Sequence, residues 1–229
     1  MNINAIASNP INIPTPAQPK VEQEMKMKAP APQPELSTKE KFAKEFYSKE
    51  EEPWKHLTYT LVTFEEDSEI KQMLPMTKEV YLEGQKGQSF IELLIQNAHY
   101  DKFKRKLDHI NPELARKDFS YTLGDNAELK ILDPKGNLSD EEINWLTDAI
   151  NKHKGFKDSV QRHAKSMMTL IDHDSATFGG RYQVSLLNLH AIIDYGKIDI
   201  SNPHLNEEWI KQINEKAEKL DTHLIDVSA

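Results

Sequence analysis

Hydrophobic and polar positions mark out a patterned stretch that begins near residue 37 and changes period along its length. Ser37 and Glu40 stand ahead of Phe42 and Phe46, at the spacing where a serine hydroxyl and a glutamate carboxylate satisfy each other's free backbone amides. A first helix is therefore predicted, supported by Glu40/Lys44 and Glu45/Lys49 and ended before Pro53. From Leu57 to Phe64 the run is β-branched and aromatic and mostly alternates, which predicts a strand. Ser68 to Leu74 reads as a short helical piece stopped by Pro75, and Lys78–Glu83 fits either period. Gly84 and Gly87 bracket a predicted turn, after which a helix opens at Phe90, Leu93 and Leu94 and continues or restarts through Phe103, Leu107 and Ile110.

Residues 119–132 carry the clearest hairpin pattern: Phe119, Tyr121 and Leu123 on one face, a Gly124–Ala127 turn, then Leu129 and Ile131 returning on the same side. Beyond the Asp133-Pro-Lys-Gly136 turn the chain reads as helical. Ser139 and Glu142 repeat the capping spacing before Ile143, Leu146, Ala149 and Ile150, with a stop expected at Lys154-Gly155. Val160, Ala164, Met167, Met168 and Ile171 form an inward stripe. Asp172–Tyr182 reads as a polar, glycine-bearing loop. The nearly continuous apolar run from Leu186 to Tyr195 predicts a central, most buried helix, and Asn206 is expected to cap a last one carrying Trp209, Ile213, Ala217, Leu220 and Leu224. The class predicted for 37–229 is one helix-rich α+β domain, with five or six helices packed on a small antiparallel β component; a two-lobed arrangement split near 136 is the alternative.

Composition separates a tail from this body. Seven of the twelve prolines lie in the first 34 residues, where they remove backbone donors and bias their neighbours away from helix. Residues 1–36 are thus expected to be a disordered, Pro-rich tail. Up to Pro34 the charges sum to +1, so the body holds the acidity of a chain whose net charge is −8.

That balance shapes the functional expectation. An acidic body argues against a nucleic-acid partner, whose phosphates are met by Lys and Arg. No apolar run approaches a membrane span, so a soluble chain is expected. Absence of cysteine removes disulfides, thiolate metal sites and cysteine nucleophiles. Nine histidines include no pair at i,i+3 or i,i+4, no serine sits in a GxSxG elbow, and neither a catalytic set nor a cofactor is indicated.

Two short segments stand out. Asp172, His173 and Asp174 could offer two carboxylates and an imidazole to a divalent cation, or simply end a helix, with His173 held charged by the dipole. Gly179, Gly180, Arg181 and Tyr182 pair a close backbone approach with a planar cationic fork ahead of a buried helix, as an anion pocket would, or make a glycine turn packed under Phe178 and Tyr182. His190 falls in an apolar run, either as a buried base or as a core histidine. Met73, Met76, Met167 and Met168 could serve a partner surface or the core, and Lys102, Lys104, Arg105 and Lys106 form a small basic patch.

Residues 1–19 contain no acidic or basic side chain and carry Ile3, Ile6, Ile11 and Ile13 among small polar residues and prolines. This segment resembles the uncleaved export signals of bacterial type III and flagellar secretion substrates. The resemblance implies a secreted protein threaded through a narrow channel; otherwise the chain would be cytoplasmic. The function expected is a non-enzymatic protein-interaction domain with another protein as partner. The alternative is a metal- or anion-dependent enzyme or ligand-binding protein using residues 172–182.

Overall fold

Both serine caps form. The Ser37 amide donates to Glu40 Oε2 at 2.7 Å and the Glu40 amide to Ser37 Oγ at 3.3 Å, while Ser139 and Glu142 exchange the same pair at 2.8 and 3.2 Å. The computed structural model describes residues 36–65 and 68–220; apart from Leu36, the expected tail lies outside them.

The elements in chain order are α1 (Thr38–Phe46), β1 (Thr58–Glu65), β2 (Ser68–Pro75), α2 (Lys78–Ile110), α3 (Pro112–Ala115), β3 (Ser120–Leu123), β4 (Leu129–Leu132), α4 (Asp140–Asn151), α5 (Lys154–His173), α6 (Ser175–Phe178), α7 (Leu189–Ile192) and α8 (Leu205–Lys216). Single 3-10 turns lie at Pro53–His56 and Tyr195–Lys197. The strands make two separate antiparallel pairs, β1–β2 and β3–β4, so the described residues form the expected helix-rich α+β arrangement.

The core is built on α2 against α5. Every member of the expected α5 stripe is buried, including Met167 and Met168. A polar seam fixes the register of the pair: Ser159 Oγ donates to the Glu92 carbonyl at 3.1 Å, and Arg162 forks onto the buried Glu92 carboxylate at 2.6 and 3.1 Å. At the start of α5, a Cβ on Gly155 would meet the His99 ring at 3.4 Å, which marks how closely the two helices approach. β3 is buried on both faces, and its register pairs Tyr121 with Ile131 and Leu123 with Leu129, as the alternation requires. From the far side α8 inserts Trp209, which stacks on Phe178 at 5.8 Å.

Several expectations are corrected. Ser68–Leu74 is strand, not helix: β2 pairs with β1 from Thr58↔Pro75 to Glu65↔Ser68, and a ladder partner outweighs a weak helical pattern. Gly84 and Gly87 bracket no turn, because a single 33-residue α2 runs through both. Two interior glycines cost a helix about 1 kcal/mol each, which packing of the later turns on α5 offsets. Lys154-Gly155 begins α5 rather than ending α4. The run from Leu186 to Tyr195 is only partly buried, with Ala191 exposed, and holds only the single turn α7; the Ile193 carbonyl and Asp194 amide go to Thr122 and Gln212 side chains at 2.6 and 2.7 Å. A run apolar on every side has no period to reveal helix or its absence, and the most buried long helix is α5. Last, α8 ends at Lys216 with His204 at its cap. Asn206 instead accepts from Ser89 and from the Trp209 indole, and Leu224 lies outside the described residues.

Candidate functional site

Eight residues of β1 against eight of β2 make a ribbon about 27 Å long. The two strands pack chiefly on each other, and the rest of the body touches them only slightly. Residues opposed across an antiparallel ladder share a face. One face therefore carries Thr60/Met73, Val62/Lys71 and Phe64/Glu69, and the other Tyr59/Leu74, Leu61/Gln72 and Thr63/Ile70. Phe64 and Met73 are 76% and 75% exposed. Each strand keeps one edge without a ladder partner in this sheet. A lone two-stranded hairpin is marginally stable in water, and an apolar strand edge is a template for another strand.

The segment that leads into the ribbon packs on the end of α5 through Tyr47 and Trp54, which meet two of the three metal-candidate residues. Asp172 accepts from the Tyr47 hydroxyl at 2.7 Å; burial and this carboxylate push the Tyr47 phenol well above its usual range. His173 is buried edge-on to Trp54, with ring centres 5.5 Å apart, and Lys78 lies over the same indole. Burial lowers the His173 pKa against the pull of Asp172, so the dipole-held charged histidine expected from the sequence is replaced by one that desolvation keeps neutral. Asp174 caps α6 by accepting from the Thr177 amide and hydroxyl at 3.2 and 2.8 Å. Burial works to raise its pKa, but Thr177 and Lys86 hold the carboxyl below the usual range. The three side chains thus turn to Tyr47, Trp54 and α6. Among the described residues no group of three or more His, Asp or Glu is placed to hold a metal ion.

The glycine segment is a turn closing α6. Gly179 and Gly180 take φ of +63° and +65°, which glycine adopts without penalty. The Arg181 Nε donates to the Phe178 carbonyl at 3.2 Å and its guanidinium lies over the Tyr182 ring. Tyr182 is buried and donates to Asn214 Oδ1 at 2.6 Å. The long helix expected to aim amides at this turn is absent, since α7 is one turn starting at Leu189. Arg181 and His173 therefore have different surroundings and different partners.

Comparison with known protein families, curated proteins and solved structures finds no match.

His190 lines a shallow cleft of about 260 Å³ with Asp133, Asp194 and Lys216. Asp133 Oδ1, His190 Nδ1 and Asp194 Oδ1 are buried there without a partner among the described residues; the two carboxylate oxygens call for donors, and the imidazole nitrogen donates or accepts according to its tautomer. Lys216 is committed to the Ile192 carbonyl at 3.1 Å. No helix among the described residues is long and apolar enough to cross a membrane. The ribbon has no counterpart in the sequence expectation, because 68–74 carries a helical pattern whereas the chain pairs it with β1. The segment gives little strand signal of its own, because Ile70, Met73 and Leu74 fall at i, i+3 and i+4, a helical spacing.

Proposed function

We propose that this chain is a non-enzymatic protein-interaction module whose docking element is the β1–β2 ribbon, and that its occupant is an extended, cationic strand of another protein. The carrying observation is that ribbon: solvent-facing Phe64 and Met73, two strands without a third, and a lead-in turn packed on α5 through Trp54. A third strand would bring the sheet to the count at which sheets become independently stable, and ladder bonds would supply affinity while alternate side chains supply selectivity. The charge of the partner follows from the sequence at the hairpin connection. Glu65, Glu66, Asp67 and Glu69 stand there against Lys71 alone, so a Lys- or Arg-bearing strand is steered in and an acidic one repelled.

The test places a photo-reactive phenylalanine at position 64, at 73, or at the exposed control position 211 of the full chain in its native cell. Cross-links from 64 and 73 to one partner's Lys- or Arg-containing extended segment are expected, and their loss in a Phe64→Ser, Met73→Ser chain. Both positions are largely exposed, so stability should change by only about 0.5 kcal/mol. Capture only between two copies of this chain, or equally from position 211, would reject the reading.

A second proposal rests on the uncharged first 19 residues: that they act as a type III or flagellar export signal. Deleting residues 2–20 should stop secretion from a type III-competent cell and leave the thermal unfolding of the body unchanged. Secretion that persists after the deletion rejects it.

A further inference from the structure

The C-terminal turns of α2 and the second half of α4 present matching faces to one groove. On α2, Phe103, Lys106, Leu107 and Ile110 fall at i, i+3, i+4 and i+7, and Trp145, Asp148 and Ala149 of α4 with Lys152 at its C-cap do the same, the spacing that lines up side chains on one side of a helix. Together they enclose about 410 Å³, inside the range of small-molecule sites. The floor, Phe103 and Leu107, is buried, yet the walls above it are not covered: Ile110 is 60% exposed and Trp145 45%. An indole and an isoleucine left facing water over a finished apolar floor mark a binding surface.

The rim decides the sign of the occupant. Lys106 and Lys152 stand at it with a single acid, Asp148, and none of the three is in an ion pair among the described residues. A lysine excess beside low-dielectric apolar walls focuses a positive potential on the cavity. His153, which completes the lining, feels it: burial first, then Lys106, His99 and Lys102, lower its pKa.

We infer that this groove binds a small amphipathic anion, a carboxylate on a medium-length acyl or aromatic body, with the apolar part against Trp145, Ile110 and Phe103 and the carboxylate accepting from Lys106 and Lys152. The basic stretch from Lys102 to Lys106 thereby acquires a partial role: Lys106 serves the groove, whereas Lys104 donates to the Ala115 carbonyl and lies over the Phe119 ring at 4.0 Å.

The experiment uses the full chain, with octanoate and octylammonium as probes that share a tail and differ in head charge, read by calorimetry and by tryptophan emission. Octanoate is expected to bind with a change in emission that Trp145→Phe removes. Lys106→Gln and Lys152→Gln should each weaken it about tenfold, the effect of one charged hydrogen bond, and octylammonium should bind at least about tenfold more weakly. These positions are exposed, so unchanged thermal unfolding is the control for folding. Equal binding of the two probes, octanoate affinity indifferent to both lysine substitutions, or no binding at all would each overturn the assignment. Binding of an amphipathic helix, with octanoate failing to displace it, would reassign the groove to a protein partner and equally refute it. Cross-linking at the ribbon is independent of all these outcomes.

Discussion

Trp209→Ala is expected to lower stability by about 3–5 kcal/mol, the range for removing a fully buried large aromatic side chain. Trp209 is inaccessible to solvent and ties three parts of the fold together. It stacks on Phe178, meets the His163 ring edge-on at 6.1 Å, and donates its indole N–H to Asn206 Oδ1 at 3.0 Å. Alanine would leave a cavity between α8, α6 and α5 and strip Asn206 of a donor. For a body of this size each kcal/mol moves the melting temperature by about 2–4 °C, so a drop of roughly 10 °C is expected in calorimetry. Trp209→Phe, which keeps most of the volume and the stacking, should recover more than half of the loss. A fall below about 1 kcal/mol for the alanine variant would mean that α8 is peripheral and that the core closes without it.

Acid sensitivity beginning near neutrality is the second large effect, and it is assigned to His163. Its ring is fully buried on α5, with Nδ1 3.2 Å from the Tyr195 hydroxyl and Nε2 without a partner among the described residues. Burial alone pushes its pKa from 6.5 down to about 3. A base with a folded pKa below its unfolded value is bound neutral by the native state. Its contribution is therefore fully present above pH 6.5 and is lost as pH falls toward about 3, because unfolding takes up a proton within that window. The slope approaches about 1.4 kcal/mol per pH unit, so roughly 2–3 kcal/mol should be lost by about pH 4.5. His153 and His173, also lowered by burial, add in the same direction. Carboxylates held low, such as Asp174 and Glu142, contribute mainly below about pH 4.5. Urea unfolding at several pH values should show a shallower slope between about pH 6.5 and 4.5 in His163→Gln than in the unsubstituted chain, whatever the substitution costs at neutral pH. Identical slopes in the two chains would remove His163 from the account.

Local chemistry was legible in the chain wherever a side chain serves its own neighbours. Ser37 with Glu40, and Ser139 with Glu142, form the caps that their spacing requires, because each partner lies within one helical turn. The α5 stripe and the 119–132 hairpin were likewise legible, since periods of about 3.6 and two residues map directly onto which face is covered. The candidate site was not. The uses of Asp172 and His173 depend on the distant Tyr47 and Trp54, whereas Asp174 and Arg181 serve near neighbours, Thr177, Phe178 and Tyr182, as the glycine-turn reading of 179–182 required. The exposed ribbon and the Trp145 groove were also invisible, since an apolar residue facing water looks the same in sequence as one facing a core.

By itself, then, the sequence determined where helices 38–46, 140–151 and the stripe of α5 lie, that 120–132 turns back on itself, and that the body is acidic and free of cysteine. These follow from interactions within a few residues or from composition. Only the tertiary structure decided that 68–75 is a strand, that α2 runs unbroken through Gly84 and Gly87, and that Leu186–Tyr195 is partly buried and not a long helix. In each of these a local preference of at most about 2 kcal/mol was outweighed by long-range pairing or packing. Such energies depend on residues far away in the chain and have no local signature to read.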